Sequence, residues 1–324
     1  MPSASGGYKN PITQLRKDHL SGASELSRKA SLIFIAFSEQ IDAKNSKDYM
    51  DKLSILCQDL IGSKPDVVPI FNLSNSIITS LKKEKSGSVQ CLRQLTKIKA
   101  LKFFRNSFTS LERIGNNGQE WIKDKSTVLT LSFSGSVLSI FKKARQKKKN
   151  FRVMVCESRP LLEGRKLASV LSSWGISVTL MVDAAIGLLV DEADLILVGA
   201  DGVTEEYFVN KIGSYPLCLC AKEKSLPVYL ACEESKFIPE RFRIKLNHIR
   251  ESGSIREVYK SIPGKVKIEN PYFEKIPISL CKKIITEKVI LIPSEVKEFL
   301  KKVKISGRCK SFLKPYINSI KKLK

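Results

Sequence analysis

Residues 176–201 read ISVTLMVDAAIGLLVDEADLILVGAD, and this stretch decides the fold class. It contains two β-rich runs, ISVTLMV at 176–182 and DLILV at 194–198, separated by a segment of helix length. Both runs are apolar throughout and do not alternate, which is typical of strands covered on both faces of a parallel sheet. The stretch therefore predicts a strand, a helix and a second strand of one parallel sheet.

Three further β-rich runs extend this pattern in both directions along the chain. They are TVLTL at 127–131, FRVMV at 151–155 and PVYLA at 227–231, with segments of helix length between them. Repeated alternation of strand and helix predicts an α/β fold with a mainly parallel, doubly wound, Rossmann-like sheet.

The residues before 119 have a different pattern. Apolar residues recur there at three- and four-residue steps, as in Leu26, Ala30 and Ile33, which predicts helices. The sequence Gly115-Asn116-Asn117-Gly118 is a strong helix breaker by composition and predicts a boundary. We therefore expect a helical N-terminal domain over 1–120 and a Rossmann-like α/β domain with a C-terminal helical tail over 121–324.

The chain is strongly basic. Its 324 residues include 56 Lys and Arg against 32 Asp and Glu, a formal net charge of +24. Lysine accounts for 42 of these cations, whereas arginine, the usual reader of nucleic acids, accounts for 14. We interpret the charge mainly as solvated surface, so that RNA contact is expected from net charge only. A cluster of six cations within 142–149 is predicted to end a helix.

Cysteine and histidine usage argues against a metal site. The eight cysteines form no CxxC pair and the chain has two histidines, so we expect no metal ion and no cofactor. We expect reduced cysteines, no secretory signal and a cytoplasmic location. The most apolar stretch, 178–200, contains four acidic residues, which excludes a membrane span there.

A doubly wound sheet binds its ligand beyond the carboxyl ends of its strands. The segments at those ends contain no GxGxxG, no GxxxxGK[ST] and no GxSxG sequence, which argues against a classical dinucleotide site, a P-loop and a serine hydrolase. They do collect polar and ionisable residues, and together these predict a ligand site. The residues are Glu157, Arg159, Asp183, Asp201, Asn210 and Lys211.

The order of short motifs along the chain resembles a known family. The motifs are Glu157-Ser158-Arg159-Pro160, Glu163-Gly164-Arg165, Val182-Asp183-Ala184-Ala185, Val198-Gly199-Ala200-Asp201, Asn210-Lys211-Ile212-Gly213, Ser235-Lys236-Phe237 and Asn270-Pro271-Tyr272-Phe273-Glu274. The series resembles the superfamily of translation initiation factor 2B α, β and δ subunits, which also contains methylthioribose-1-phosphate and ribose-1,5-bisphosphate isomerases. The resemblance implies a helical domain on a Rossmann-like domain. It also implies a homodimer or a higher assembly built from dimers.

Departures from the isomerase pattern bear on function. The resemblance implies a Thr-His-Cys sequence after the first strand of an isomerase, but Leu131 and Ser132 stand at the His and Cys positions. A hydroxyl at Ser132 is a poor replacement for a thiol, so we expect this position to be inactive. The weaker N-terminal sugar-phosphate motifs read Ser21-Gly22-Ala23 and Lys64-Pro65, where isomerases carry Arg-Gly-Ala and Arg-Pro. Both changes remove a bidentate phosphate fork.

Several site residues have alternative interpretations. Asp201 is the tentative catalytic acid or base, or it caps the following turn or binds a ligand hydroxyl. Lys211 neutralises a phosphate or pairs with an acidic neighbour. Asn210 is predicted to N-cap a helix that presents N–H groups to an anion. Arg159 contacts a phosphate or forms a salt bridge with Glu157 or Glu163.

Two further residues are given structural roles. Asp183 is predicted to N-cap a helix beginning at Ala184. The isolated His19 is interpreted as a surface or capping residue.

The favoured function is that of a factor 2B α-subunit-like regulatory and assembly protein without isomerase activity, with a pocket for a phosphorylated sugar or nucleoside monophosphate. Ser21, Gly22, Ala23, Lys64, Arg159, Asn210 and Lys211 are its expected ligand-binding residues. Related factor 2B-like subunits or initiation factor 2 are candidate partners. The alternative is an aldose–ketose isomerase acting on ribose 1,5-bisphosphate or methylthioribose 1-phosphate, with Asp201 opening the sugar ring.

Overall fold

The computed structural model describes residues 9–18, 21–84, 87–242, 255–259 and 264–318. The described residues divide into two compact units. The first takes those within Met1–Thr109, Arg241–Lys245 and Val303–Lys324, and the second takes those within Ser110–Glu240 and Leu246–Lys302. Whether the chain folds as domains 1–120 and 121–324 stays a prediction.

The first unit is helical throughout its described residues. Its helices are α1 (Lys9–Lys17), α2 (Ala23–Gln40), α3 (Ser46–Ser63), α4 (Val68–Leu81), the first part of α5 (Val89–Gly118) and α11 (Gly307–Asn318). Phe34, Phe37 and Tyr49 are fully buried between them, and the Tyr49 hydroxyl donates to Thr96 Oγ1 over 2.9 Å. The prediction of helices here is confirmed for the described residues.

The second unit contains a sheet of seven strands in the order β10-β9-β7-β4-β1-β2-β3. The strands are β1 (Thr127–Leu131), β2 (Arg152–Cys156), β3 (Ser177–Met181), β4 (Leu195–Gly199), β7 (Val228–Ala231), β9 (Lys283–Ile285) and β10 (Ile290–Leu291). Every neighbouring pair is parallel except β9 and β10. The predicted mainly parallel, doubly wound sheet is confirmed.

The helices of this unit follow the strands in alternation. They are the end of α5, then α6 (Gly135–Gln146), α7 (Glu163–Ser173), α8 (Ile186–Leu189), α9 (Ser214–Glu223) and α10 (Val296–Lys301). Phe141 of α6 and Leu167 of α7 are buried in one core cluster with Val128 and Val153 of the sheet. This burial explains why β1, β2, β4 and β7 read as apolar runs. Strand β3 lies at the edge of the sheet and is largely exposed, so the expectation that 176–182 is covered on both faces was wrong.

A second, antiparallel sheet has three strands in the order β5-β6-β8, and the sequence did not predict it. Its strands are β5 (Gly202–Val203), β6 (Tyr207–Lys211) and β8 (Phe273–Pro277). Asn210 in β6 pairs with Glu274 in β8, so two of the quoted motifs lie side by side.

The segment Gly115–Gly118 does not break its helix, which corrects the prediction made from composition. Helix α5 continues through it and ends at Gly118. A Cβ atom built on Gly115 would lie 2.7 Å from the Ser139 carbonyl oxygen, and one on Gly118 would lie 2.3 Å from Ile140 Cδ1. The two glycines therefore allow α5 and α6 to approach closely, at the cost of lower helix propensity.

No helix within the described ranges is both long and apolar enough to cross a membrane.

Candidate functional site

Several of the predicted site residues lie at the carboxyl edge of the large sheet, whereas Asn210 and Lys211 lie in the second sheet. Ser132 follows β1, Arg159 follows β2 and Asp201 follows β4. The sheet order places β1 between β4 and β2, so the chain leaves β1 and β4 toward opposite sides. A topological switch point of this kind opens a crevice where ligands of doubly wound proteins bind.

Ser132 has a left-handed backbone conformation. Its φ is 62°, which is uncommon for a residue other than glycine. Its N–H donates to the Ser158 hydroxyl oxygen over 2.7 Å, and the Ser158 hydroxyl donates to the Cys156 carbonyl over 3.0 Å. The loops after β1 and β2 are thus joined by one buried side chain, since Ser158 is 1% exposed.

Asp183 supports this loop from the next strand along the sheet. Its two carboxylate oxygens accept the backbone N–H groups of Ser158 and Arg159, over 2.8 and 2.7 Å. Asp183 begins a 3-10 turn and makes no N-cap hydrogen bond to a helix beginning at Ala184, so that prediction was wrong. Its carboxylate is used by the loop after β2 because the carboxyl ends of β2 and β3 are neighbours.

Arg159 is exposed, and one of its guanidinium nitrogens donates to the Glu257 carbonyl over 3.0 Å. The two carboxylates named as its alternative partners pair elsewhere. Glu157 contacts Arg165 at 2.7 Å, and Glu163 contacts Lys211 at 2.7 Å. The salt-bridge interpretation of Arg159 is therefore wrong, because closer cations occupy both carboxylates.

Lys211 is buried, with its ammonium 4.7 Å from the centre of the Tyr272 ring. It pairs with Glu163, so the expected acidic neighbour exists. The second carboxylate oxygen of Glu163 is buried and has no hydrogen-bond partner among the described residues. Tyr272 in turn donates to the Glu257 carboxylate over 2.8 Å. A buried ammonium held by one carboxylate and an aromatic face can also attract an anionic ligand.

Asn210 lies in β6 and is not a helix N-cap, which corrects the prediction. Its amide donates to the Ser214 hydroxyl over 2.8 Å, and Gly213 is the N-cap residue of α9. The loop after β4 lies close by, because a Cβ on Gly199 would be 3.9 Å from Asn210 Oδ1 and 2.5 Å from Ser134 Oγ. The absence of a side chain at Gly199 leaves room for both neighbours.

The N-terminus of α9 is occupied by a carboxylate of the chain itself. Glu274 Oε1 accepts the Tyr215 N–H over 2.8 Å, and the Gly213 and Ser214 N–H groups also donate to this side chain. Burial raises the pKa of Glu274, although these backbone donors oppose that rise. The expected presentation of these N–H groups to a ligand anion is therefore wrong, because Glu274 takes the place of the ligand.

Asp201 is half-buried after β4, and its N–H donates to the Val209 carbonyl over 2.7 Å. A buried ammonium lies within its electrostatic reach. Lys236 pairs with Glu233 at 3.2 Å. Burial disfavours the charge of Lys236, but attraction to Glu233 and then to Asp201 outweighs it and raises the pKa of Lys236. An acidic residue beside such a cation can accept a hydrogen bond from a ligand hydroxyl.

The N-terminal candidates belong to the first unit. Lys29 donates from its ammonium to the Ser21 hydroxyl oxygen over 2.9 Å. Gly22 is the N-cap residue of α2, and Ala23 begins that helix as a buried residue. Lys64 is the C-cap residue of α3. Their role in ligand binding stays a prediction, and His19 lies outside the described residues.

Within the described part of the chain, no group of three or more His, Cys, Asp or Glu side chains is arranged to hold a metal ion.

Residues 19–293 match the model of the initiation factor 2 subunit family. The chain belongs to this family. The recognition made from the motifs is thereby confirmed. A putative eIF-2B subunit 2-like protein of Pyrococcus horikoshii is 31% identical over 284 residues, which cover 87% of this chain and 95% of the relative. The ribose 1,5-bisphosphate isomerase of Methanocaldococcus jannaschii is 30% identical over 289 residues, which cover 89% and 92%.

Solved structures of family members have the same fold. The eIF-2B structure from Pyrococcus horikoshii has a TM-score of 0.75 and 30% identity, and the match covers 88% of this chain and 97% of that one. A tetrameric eIF2B-beta2-delta2 complex from C. thermophilum contains a chain with a TM-score of 0.74. Its 16% identity, over 92% of this chain and 95% of that one, shows the fold alone. The relatives of this chain thus include proteins named as translation initiation factors and proteins named as isomerases.

Sequence reasoning missed several residues that build the candidate site. Ser158, Glu257 and Glu274 each hold another site residue in place, and none was singled out for that role. Ser158 and Glu274 lie within quoted motifs, so their position beside Arg159 and Phe273 was an available signal. Glu257 lies in a segment without a recognised motif, and only the fold brings it to Tyr272.

Proposed function

We propose that this chain is an assembly subunit of the eIF-2B type that binds a phosphorylated sugar or a nucleoside monophosphate and does not isomerise it. One observation carries the proposal. Ser132 occupies the first position after β1, where the resemblance implies the cysteine of an isomerase. A serine hydroxyl ionises far less readily than a thiol, so Ser132 is a poor nucleophile or acid–base group at this position.

Leu131, the residue before Ser132, also argues against isomerase activity. Leu131 stands at the position of the isomerase histidine and is 3% exposed. A buried aliphatic side chain neither donates nor accepts a proton, so general acid–base help is lost together with the thiol.

The residues around Lys211 support binding of an anionic ligand. Arg159 is a cation after β2, Lys211 in β6 reaches Glu163 at the start of α7, and Asp201 offers an acceptor for sugar hydroxyls. A ligand that carries both a phosphate and hydroxyl groups matches this set of side chains. Ser21, Gly22, Ala23 and Lys64 are proposed to bind a sugar phosphate.

Assembly and location are part of the proposal. We expect a homodimer, or a higher assembly built from dimers, with related eIF-2B-like subunits or initiation factor 2 as partners in the cytoplasm. The description of one solved relative as a tetrameric complex supports an assembling fold. Static light scattering at micromolar concentration tests this point, and a monomer there would contradict it.

The alternative is a ribose-phosphate isomerase with altered chemistry. It is supported by relatives that carry the isomerase name, including one at 32% identity over 286 residues. In that case Asp201 performs the acid–base work of ring opening and proton transfer between the first two carbons.

Ligand binding and turnover are measured on the same preparation to decide between the two. Thermal shift is recorded with ribose 1,5-bisphosphate, methylthioribose 1-phosphate, adenosine monophosphate and unphosphorylated ribose, and ketose formation is followed by NMR. We expect a shift with at least one phosphorylated compound, none with ribose, and no ketose.

Two aspartate variants sharpen the comparison. Asp201→Asn changes the site, whereas Asp191→Asn changes a residue with a 57% exposed side chain paired with Lys224. Ketose formed by wild type and by Asp191→Asn but lost in Asp201→Asn would establish the isomerase instead. If no phosphorylated compound shifts the melting temperature and no ketose forms, the ligand pocket itself is refuted.

A further inference from the structure

The amino edge of the large sheet carries a dense group of cations, opposite the edge that holds the candidate site. They come from the turn before β1, the end of α6 and the start of β2. We call this group the amino-edge patch. It consists of Lys123, Lys125, Arg145, Lys147, Lys148, Lys149 and Arg152.

Backbone contacts make the patch one continuous surface. The Lys125 N–H donates to the Asn150 carbonyl, and the Lys149 ammonium donates to the Ile122 carbonyl over 2.8 Å. Burial lowers the pKa of Lys149, and the neighbouring charges of Lys123 and Lys147 lower it further. The ammonium groups of two separate segments thus lie close enough to repel one another.

Carboxylates balance part of this charge, and Glu120 attracts the Lys149 ammonium. The Asp124 carboxylate accepts the Asn150 N–H over 2.8 Å, and Glu192 lies 3.6 Å from Arg152. Lys125, Lys147 and Lys148 are exposed. Their charge is therefore available to a polyanion and is held together at a cost in mutual repulsion.

One patch lysine also occupies a position that favours glycine. Lys148 follows the end of α6 with a φ of 59°, and its N–H donates to the Arg145 carbonyl. Glycine is the usual residue in the left-handed conformation after a helix. Lys148 therefore adds a positive charge to the patch at a position where the backbone conformation favours glycine.

We propose that the amino-edge patch binds the phosphate backbone of single-stranded RNA. Lysines act as point charges and suit a backbone contact that is independent of base sequence. An RNA strand follows an extended row of cations, whereas a mononucleotide neutralises one or two. The patch is separate from the edge that takes the sugar phosphate, so the two ligands do not compete.

Two triple variants of equal charge test the proposal. Lys125→Gln, Lys147→Gln and Lys148→Gln together remove three exposed patch cations. Lys102→Gln, Lys222→Gln and Lys297→Gln together remove three exposed lysines from other surfaces. Circular dichroism and thermal melting confirm that both proteins fold.

Binding of a fluorescein-labelled, mixed-sequence 20-nucleotide RNA is measured by anisotropy between about 50 and 300 mM salt. Three lost phosphate contacts should reduce the slope of log K against log salt by about 2. We expect the patch triple to weaken binding at least tenfold near 100 mM salt and the control triple less than twofold.

Three results would overturn the proposal. Equal weakening by both triples would show an effect of net charge alone. Displacement of the RNA by polyglutamate at matched charge concentration would show that the patch recognises acidic polymers in general. No measurable RNA binding by wild type near 100 mM salt would remove the proposal altogether.

Discussion

The Ser158 hydroxyl oxygen accepts the backbone N–H of Ser132 over 2.7 Å. Both residues have a left-handed backbone, with φ values of 64° and 62°. Such conformations cost about 1 kcal/mol or more for residues other than glycine and persist only where their surroundings hold them. The two strained turns at the carboxyl edge therefore support each other.

Ser158→Ala should destabilise the protein by about 1–3 kcal/mol, because it leaves the Ser132 N–H without its partner. It should also weaken the thermal shift produced by a sugar phosphate. Ser169→Ala is the matched control, since Ser169 is exposed and its hydroxyl donates only within α7. Equal free energies of unfolding for the two variants, measured in urea, would contradict this role of Ser158.

Gly164→Ala should destabilise the protein by about 3 kcal/mol through overpacking. A Cβ there would lie 1.8 Å from the Cys156 carbonyl oxygen, so the start of α7 must move away from β2. Gly187→Ala in α8 meets no atom within 4 Å and should be neutral or stabilising by up to about 1 kcal/mol. Thermal melts of the pair are the measurement, and a tolerated Gly164→Ala would mean that this close approach is not required.

Ser132→Cys should restore little or no isomerase activity. A thiol is introduced, but Leu131 remains aliphatic, and Ser21 and Lys64 still stand where the resemblance implies arginines. One well-placed acid–base group is worth about 10²–10⁴-fold, so several missing groups leave activity far below that of an isomerase. A rise of 10³-fold in ketose formation over wild type would show that the cysteine alone was lacking.

Only Cys91 and Cys220 should react readily with N-ethylmaleimide in the folded protein, because both are partly exposed. Burial raises the pKa of Cys156 and of Cys218 to about 12, which keeps their thiols protonated near neutral pH. Mass spectrometry should find two adducts in buffer and eight in guanidinium. Rapid native labelling of Cys156 would mean that the end of β2 opens to solvent.

Glu274→Gln tests the electrostatics of the α9 N-terminus. Burial raises the pKa of Glu274 above 4.5, so the folded state retains its proton where the unfolded state has lost it. The stability of wild type relative to Glu274→Gln should therefore fall as pH rises above about 4.5 toward neutrality. Urea unfolding across this range measures the difference.

Glu298→Gln provides the opposite case. A hydrogen bond from Lys301 lowers the pKa of Glu298, so the folded state loses this proton at a lower pH than the unfolded state does. Wild type should therefore gain stability relative to this variant as pH rises toward about 4.5, and the gain should level off above it. Parallel pH trends for the two variants would contradict the assigned directions.

Apolar runs separated by segments of helix length made most of the large sheet predictable, including the largely exposed edge strand β3. The runs at 127–131, 151–155, 176–182, 194–198 and 227–231 each match an observed strand to within one residue at each end. Strands β5, β6 and β8 escaped prediction because they belong to a small antiparallel sheet without a continuous apolar run. The helix break predicted at Gly115 and Gly118 was wrong. Composition does not distinguish a glycine that ends a helix from one that allows a neighbouring helix to pack closely.

The sequence predicted where the candidate site lies in the fold better than it predicted the hydrogen-bond partners of the site residues. The carboxyl edge followed from the strand order, and Ser132 and Asp201 lie there as expected, whereas Lys211 lies in β6 of the second sheet. The partners of Asp183, Asn210 and Arg159 could not be read from the sequence, because each depends on a residue brought close by the fold. Local capping rules assigned Asp183 to Ala184, whereas its carboxylate bonds to Ser158, 25 residues earlier.

The chain of contacts from Ser132 to Ser158 to Asp183 also sets an order for biosynthesis. The first link spans 26 residues and the second spans 25, and each partner lies further toward the C-terminus. During translation, the turn after β1 emerges first but has no support until β2 has followed, and the turn after β2 waits in turn for the end of β3. Both turns therefore have all these contacts only after the end of β3 has emerged.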